Sequence, residues 1–563
     1  MRREYKDATA GSVCFLCIQH GTQRAGCLLG PPWSTTSTST VSSRRTLTTP
    51  LFAVLLQPIL LVSALHTLSV LNVLASEAIV ISTLFASIAI YRAGPWHPLA
   101  HVPGPFAARI SKYWSFKLLL SGEKHRVLKE LHDKYGDVVR TGPNEVSMVH
   151  ADAIREVFGT GGFQKGPFYE PWSDPTLPTK ALLNLRGDAH ANRRRIWNRG
   201  MNSEGLKGFE QVLAKRLVIM LSQFDKMVKE GNGKATVDLA AWFSYLTFDF
   251  MGDLAFGGGF DMLRDGGDKN GLWAIIKQGA KATAIIAQTP WVVPTFNMIP
   301  GANFIMDRLR RFAMESASAR VKAGTGESKD LWYHLMDEDN HEKVKPPLHD
   351  VLVDGVLVIV AGSDTSSVAL SYFIYQMMCH PELYARAQAE VDSVYPDAES
   401  ALDSGRHDEL KFLTACIQES LRLFPPVPTG GPRKIPAGDA KIIAGKLIPA
   451  ETQIYVPAYV IHRSPKNFSP GPDNYDPERW LRSSSDKETL NHAAFMSFSY
   501  GAANCAAKHL AWRELLMATS ALLKRYNMKF VAPESKTGKD WESTMKDFFV
   551  TETGGLMIEL TTR

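Results

Sequence analysis

Cys505 stands inside Phe498–Trp512, FSYGAANCAAKHLAW, where a glycine-containing loop runs into an apolar helix. A cysteine at a helix start faces free backbone N–H groups and a partial positive charge, and both favour its thiolate. Such a thiolate is a soft ligand for iron, and in a haem it drives the metal towards O–O cleavage. The competing reading is an inert buried cysteine that packs as a small hydrophobe. Other residue groups could serve the same chemistry. Ala361-Gly362-Ser363-Asp364-Thr365-Ser366 sets an acid and three hydroxyls into an apolar run. On a helix, Thr365 lies one turn from Ala361, so its hydroxyl can enter the gap that Ala361 and Gly362 leave. Glu419 and Arg422, three apart, share one helix face, and His190 and Arg194, four apart, share another. An exposed ion pair of the first kind is worth little. Around the second, Arg193 and Arg195 read as a solvated basic patch, or as a dock for an acidic redox partner.

These groups need elements to hold them. Val351–Met378 is long and apolar enough for either a core helix or a membrane span. Asp354 and the Asp364-Thr365-Ser366 cluster make the span costly. Lys124–Tyr135 keeps a helical period. Val138–Thr141 and Glu145–Val149 flank Gly142-Pro143-Asn144 and predict a hairpin. Residues 163–184 read as an irregular loop rich in proline and aromatics, with core packing as the simple account of the aromatics. Residues 205–345 are mostly helical in pattern, with turns at Gly257–Gly259 and Pro290–Gly301. No internal repeat appears.

The chain of 563 residues has 45% hydrophobic and 21% charged residues and a formal charge of +6, which gives no argument for a nucleic-acid partner. Its six cysteines are scattered, so no disulfide framework is expected and the folded part suits a reducing compartment. Cys14 and Cys17 lack the second pair that a zinc site needs. Residues 1–50, rich in Ser and Thr, read as a disordered tail. Leu51–Tyr91 is almost wholly apolar, about twice the ~20 residues that one membrane helix needs. With residues 51–92 as anchor, it splits into two spans near Asn72–Glu77. Arg44 and Arg45 before it and Arg92 after it would place both ends in the cytosol. The run is too long and too far from Met1 for a cleaved signal peptide. Residues 93–105, with Val102-Pro103-Gly104-Pro105, read as a stiff linker.

Taken in order, these motifs resemble the cytochrome P450 family over about residues 100–563, which implies a catalytic domain over 106–563 in which 163–184 would cap the substrate pocket. Phe498, Gly501 and Cys505 match F-x-x-G-x-R-x-C-x-G, with Ala503 in place of the arginine and Ala507 in place of the last glycine. Ala361–Thr365 matches A/G-G-x-D/E-T, Glu419–Arg422 matches E-x-x-R, and Pro477–Trp480 matches P-E-R-F/W. The resemblance implies a mainly α fold with small β-sheets behind an N-terminal membrane anchor. Cys505 would ligate the iron of haem b, with Phe498 and Gly501 shaping the loop. Asp364 and Thr365 would assist proton delivery. His190, Arg194 and Arg433 would meet the haem propionates, offsetting the charge missing at Ala503. Glu419, Arg422 and Arg479 would form a buried structural network.

The implied activity is a monooxygenase acting on an apolar small molecule, a fungal secondary metabolite such as a terpenoid. The resemblance is to fungal microsomal members, which implies the endoplasmic reticulum membrane with the catalytic domain in the cytosol. No G-x-G-x-x-G fingerprint accompanies the motifs, so electrons would come from NADPH through a separate cytochrome P450 reductase, with cytochrome b5 as a further donor. Two other readings use the same residues. One is a reductase-independent isomerase, which the intact Thr365 disfavours. The other is a haem-poor binding protein, to which Ala503 and Ala507 point.

Overall fold

Free of glycine and proline, the apolar residues Val70–Ala93 form one helix, α1, of 24 residues, none of them buried. Its rise of 1.5 Å per residue gives about 36 Å, enough for the ~30 Å hydrocarbon layer of a membrane. The helix runs unbroken through Asn72–Glu77, where the sequence predicts a division between spans. The computed structural model describes residues 69–173, 177–296, 298, 304–324, 329–397, 400–482, 489–531 and 540–563. The tail and the first half of the apolar stretch lie outside these residues, and with them the proposed first span.

The body begins at Tyr91. Its linker forms turns and no helix, as the prolines require, but it is not loose. The Arg140 guanidinium donates to the carbonyls of Arg92 (3.2 Å) and Pro143 (2.9 Å). Gly104 passes so close to the Arg140 carbonyl that an added Cβ would lie 2.3 Å from it. Helices then dominate: α2 (Gly187–Gly200), α3 (Ser203–Glu230), α4 (Leu239–Phe256), α5 (Leu272–Ile286), α6 (Leu348–Cys379), α7 (Lys411–Leu423) and α8 (Lys508–Arg525).

Helix α4 is apolar all round and almost fully buried, as a core helix should be. It packs closely against α6, because Gly355 and Gly362 face Phe256 and the Met251 sulfur where a Cβ would collide. More than half of the apolar window of α6 is buried within the body, so α6 is a core helix and the membrane reading of it fails.

The predicted hairpin forms as Val138–Gly142 and Glu145–Met148. It belongs to a five-stranded sheet completed in order by Gln453–Tyr455, Arg433–Lys434 and Gln164–Lys165. The last strand and a 3₁₀ turn at Pro167–Trp172 replace part of the loop expected over 163–184. A three-stranded sheet joins Tyr526–Phe530, Met557–Thr562 and the short strand Ala235–Asp238, which the helical reading of 205–345 misses. The fold is thus mainly helical with small sheets, as expected.

Candidate active site

The cysteine loop closes on itself where the Cys505 N–H donates to the Phe498 carbonyl at 2.9 Å. Gly501 opens a single 3₁₀ turn at φ +72°, and an added Cβ would lie 1.9 Å from the Phe158 carbonyl oxygen. Glycine alone fits both demands. The Phe498 ring leans on Trp512 of α8, with centroids 6.2 Å apart. Upstream, Ser497 Oγ donates to the Leu421 carbonyl at 2.8 Å, and the Met496 N–H donates to His462 Nε2 at 2.9 Å. Since Nε2 accepts, the proton of neutral His462 sits on Nδ1, which donates to the Arg422 carbonyl at 2.8 Å. Burial pushes His462 down to about 3, aided by the charges of Arg422 and Arg463.

Arg422 carries that support into the expected network. Its fork binds both oxygens of Glu419 at 2.8 Å, and both side chains are fully buried. Arg479 Nε reaches Glu419 Oε1 at 3.1 Å, and Trp480 Nε1 donates to Oε2 at 3.0 Å. The carboxylate is fully satisfied, the condition under which a buried ion pair is tolerated. The three residues meet as the motifs implied.

Cys505 opens onto a cavity of about 620 Å³ that Asp364 and Thr365 of α6 also line. Enclosure by protein raises its thiol, while the Ala507 N–H, Arg194 and Lys508 pull it back towards the thiolate. Thr365 Oγ1 donates to the Ala361 carbonyl at 2.8 Å, which spends its proton on the helix and leaves its lone pairs as acceptors. Desolvation holds Asp364 above the usual carboxylate range, against the pull of Lys277. Next along the helix, Ser366 Oγ donates to Glu514 Oε2 of α8 at 2.5 Å, and burial pushes Glu514 up to about 8. The rest of the wall is largely apolar and includes Met251, Leu254, Ile276, Val360 and Phe548.

Helix α6 is pinned at its other end by Asp354, which is fully buried. Its carboxylate accepts from Arg193 Nη1 (2.9 Å), Trp197 Nε1 (2.8 Å) and the Leu182 N–H (2.8 Å). Arg193 is therefore an interior anchor, which corrects its reading as part of a solvated patch. Arg195 stays at the surface and pairs with Glu342. His190 and Arg194 line the cavity from α2 and Arg433 lines it from the five-stranded sheet. Burial and the cations Lys165, Arg194 and Arg433 push His190 down to about 4. Arg194 also bonds the loop itself, through Nη1 to the Asn504 carbonyl (2.6 Å) and Nη2 to Asn504 Oδ1 (2.8 Å).

Haem fits this cavity on the chemistry of its lining. A cysteine sulfur opens on one part of it. On another, basic side chains line it, and among the described residues no carboxylate pairs with Arg433, whose buried Nε has no partner. That suits a flat apolar ring carrying two carboxylates.

The family model for cytochrome P450 matches residues 103–557. The chain belongs to the cytochrome P450 family. Membership implies haem held by a cysteine thiolate. The chain is 31% identical to Cytochrome P450 67 of Uromyces fabae, over 79% of its length and 83% of the relative's. It is 30% identical to Cytochrome P450 monooxygenase FCK2 of Fusarium pseudograminearum, over 87% of each. It is 28% identical to the Tryprostatin B 6-hydroxylase of Aspergillus fumigatus, over 88% and 87%. The chain is thus a P450 monooxygenase, an oxidoreductase that incorporates oxygen.

His462, Lys165 and Glu514 complete the setting and were not singled out in the sequence. Each lies in a stretch whose local pattern explains itself as core or surface. Only their depth in the fold distinguishes them.

Proposed function

We propose that this P450 is membrane-anchored through residues 51–92, joined by the linker 93–105 to a catalytic domain over 106–563, and oxidises an apolar small molecule of secondary metabolism. One observation carries the reading: Cys505, on a loop tied to the Glu419–Arg422 network, shares a single cavity with Asp364, Thr365 and the basic set. Cys505 holds the iron, and His190, Arg194 and Arg433 face the haem carboxylates. Bound haem supplies the oxygen chemistry. The chain binds and orients the substrate against the apolar wall. Thr365, with its proton committed to Ala361, accepts a hydrogen bond at the cavity side and holds a proton donor there. Asp364, kept towards its protonated form, carries the proton in.

Electrons come from NADPH through a separate cytochrome P450 reductase, with cytochrome b5 as a further donor. The α1 helix supports residence in the endoplasmic reticulum membrane, with the catalytic domain in the cytosol. For the substrate, terpenoids and tryprostatin B, after which a relative is named, form the first panel to assay.

The test is the carbon monoxide difference spectrum of reduced microsomes containing the full chain. A strongly red-shifted Soret band is expected, lost in Cys505→Ala. A well-folded protein without the band would refute the ligand and leave a binding protein. Thr365→Ala should uncouple oxygen use from product, and unchanged coupling would remove Thr365 from proton delivery.

A further inference from the structure

Lys165 and Arg433 are direct partners across antiparallel strands, so their side chains leave the same sheet face side by side. Both are largely buried, and both line the cavity that Cys505 opens on. Like charges in that position repel, and burying an ammonium without a counter-ion is costly. Lys165 has no counter-ion in the protein among the described residues. Its Nζ makes long contacts to the Leu182 (3.3 Å) and Leu185 (3.5 Å) carbonyls and lies 5.9 Å from the centre of the Tyr169 ring, and no carboxylate pairs with it. Arg433 leaves its Nε unpartnered and lies over the Phe158 ring at 5.1 Å.

The other basic residues facing the haem carboxylates have less free charge to offer them. The Arg194 fork is engaged with the cysteine loop, and its Nε donates to Asn198 Oδ1 at 2.9 Å. His190 is held neutral, and Ala503 offers no charge.

We propose that Lys165 is a cofactor-binding residue of this chain, its ammonium meeting a haem carboxylate beside Arg433 and supplying the charge absent at Ala503. The proposal rests on haem binding at Cys505. It explains why a cation pair survives in the interior: an incoming carboxylate converts mutual repulsion into two charge-assisted hydrogen bonds. Without that anion, burial and the charges of Arg433, Arg186 and Arg194 push Lys165 down to about 7. A carboxylate acts in the opposite sense and keeps the ammonium charged.

The test follows haem loss from the full-length holoenzyme to excess apomyoglobin, alongside the reduced carbon monoxide spectrum. Lys165→Met should lose haem about tenfold faster, the equivalent of one charge-assisted hydrogen bond, with the band position unchanged. Lys165→Arg should stay within about twofold of wild type, because a guanidinium also makes a charge-assisted bond to a carboxylate. Adding Ala503→Arg to Lys165→Met should restore retention, which a purely structural role for Lys165 would not allow. A Lys165→Met enzyme that holds haem as long as wild type overturns the proposal. If that variant does not accumulate, the double variant decides: recovered holoenzyme supports the proposal, and no recovery overturns it. The band reports Cys505 and the loss rate reports Lys165, so either reading can fail alone.

Discussion

Arg422 and His462 hold each other by reciprocal hydrogen bonds: Arg422 Nη1 donates to the His462 carbonyl at 2.6 Å, and His462 Nδ1 donates to the Arg422 carbonyl at 2.8 Å. The opposite edge of the same imidazole accepts from the Met496 N–H, two residues before Phe498. The buried network of Glu419, Arg422 and Arg479 is therefore joined to the cysteine loop through one neutral ring. Position and stability are coupled at this point, because a shift of α7 is passed to the loop that presents Cys505.

His462→Ala should show this coupling. It leaves the Arg422 carbonyl and the Met496 N–H buried without partners, a loss of about 3 kcal/mol. The expected result is a lower thermal midpoint together with faster haem loss. A variant that is less stable but keeps haem as firmly as wild type would show that the ring supports the core and not the loop.

Gly501→Ala tests the loop directly. The added Cβ meets the Phe158 carbonyl at 1.9 Å on backbone at φ +72°, so the 3₁₀ turn cannot form unchanged. A strain of about 1–3 kcal/mol from the left-handed position alone is compounded by the collision. Haem content per folded chain should fall sharply, read as the ratio of Soret to protein absorbance. An unchanged ratio would mean that the loop can retreat from Phe158.

Much of this site is legible in the sequence because its residues act through short spacings. Glu419 with Arg422 and His190 with Arg194 are single-turn relations, and Phe498-x-x-Gly501 to Cys505 is one loop. What the sequence hides are contacts set by long-range topology. Lys165 and Arg433 are cross-strand partners only because the short strands Gln164–Lys165 and Arg433–Lys434 pair. Arg193 looks solvated in a run of three arginines, yet α2 turns it onto Asp354 of α6. The strand Ala235–Asp238 is too short to interrupt a helical pattern and exists because Met557–Thr562 pairs with it. The first half of the predicted anchor lies outside the described residues, while its second half is the uninterrupted α1.

The acid limb of stability should come from buried imidazoles. His125 is fully buried against Phe424 and Tyr459, with ring centroids 5.6 and 4.8 Å away and neither nitrogen bonded. Burial, helped by Arg126 and Arg463, pushes it down to about 3. The folded state thus keeps it neutral, whereas the unfolded chain protonates near the ordinary 6.5. Stability is complete above that value and is lost as pH falls towards 3, at up to about 1.4 kcal/mol per pH unit. His125→Phe removes this proton uptake and keeps an aromatic ring. Urea unfolding at pH 7 and pH 5 should show a smaller loss for the variant, and an equal loss would assign the acid limb to other groups such as His462.

Glu514 should act on the alkaline side. Its carboxyl is buried between α6 and α8, accepts from Ser366 at 2.5 Å, and has no partner for Oε1. Desolvation pushes it up to about 8, so the folded protein keeps it protonated at neutral pH, while the unfolded chain releases the proton near the ordinary value of 4.5. The sign is the reverse of that for His125. Its contribution is complete below 4.5 and is lost as pH rises through about 8. Glu514→Gln keeps the shape and the acceptor for Ser366 but cannot ionise, so the variant should gain on wild type as pH rises from 5 to 8. Unfolding midpoints measured across that range check the expectation. A constant difference between the two proteins would mean that Glu514 is already ionised in the folded enzyme, with a counter-charge reaching it across the cavity.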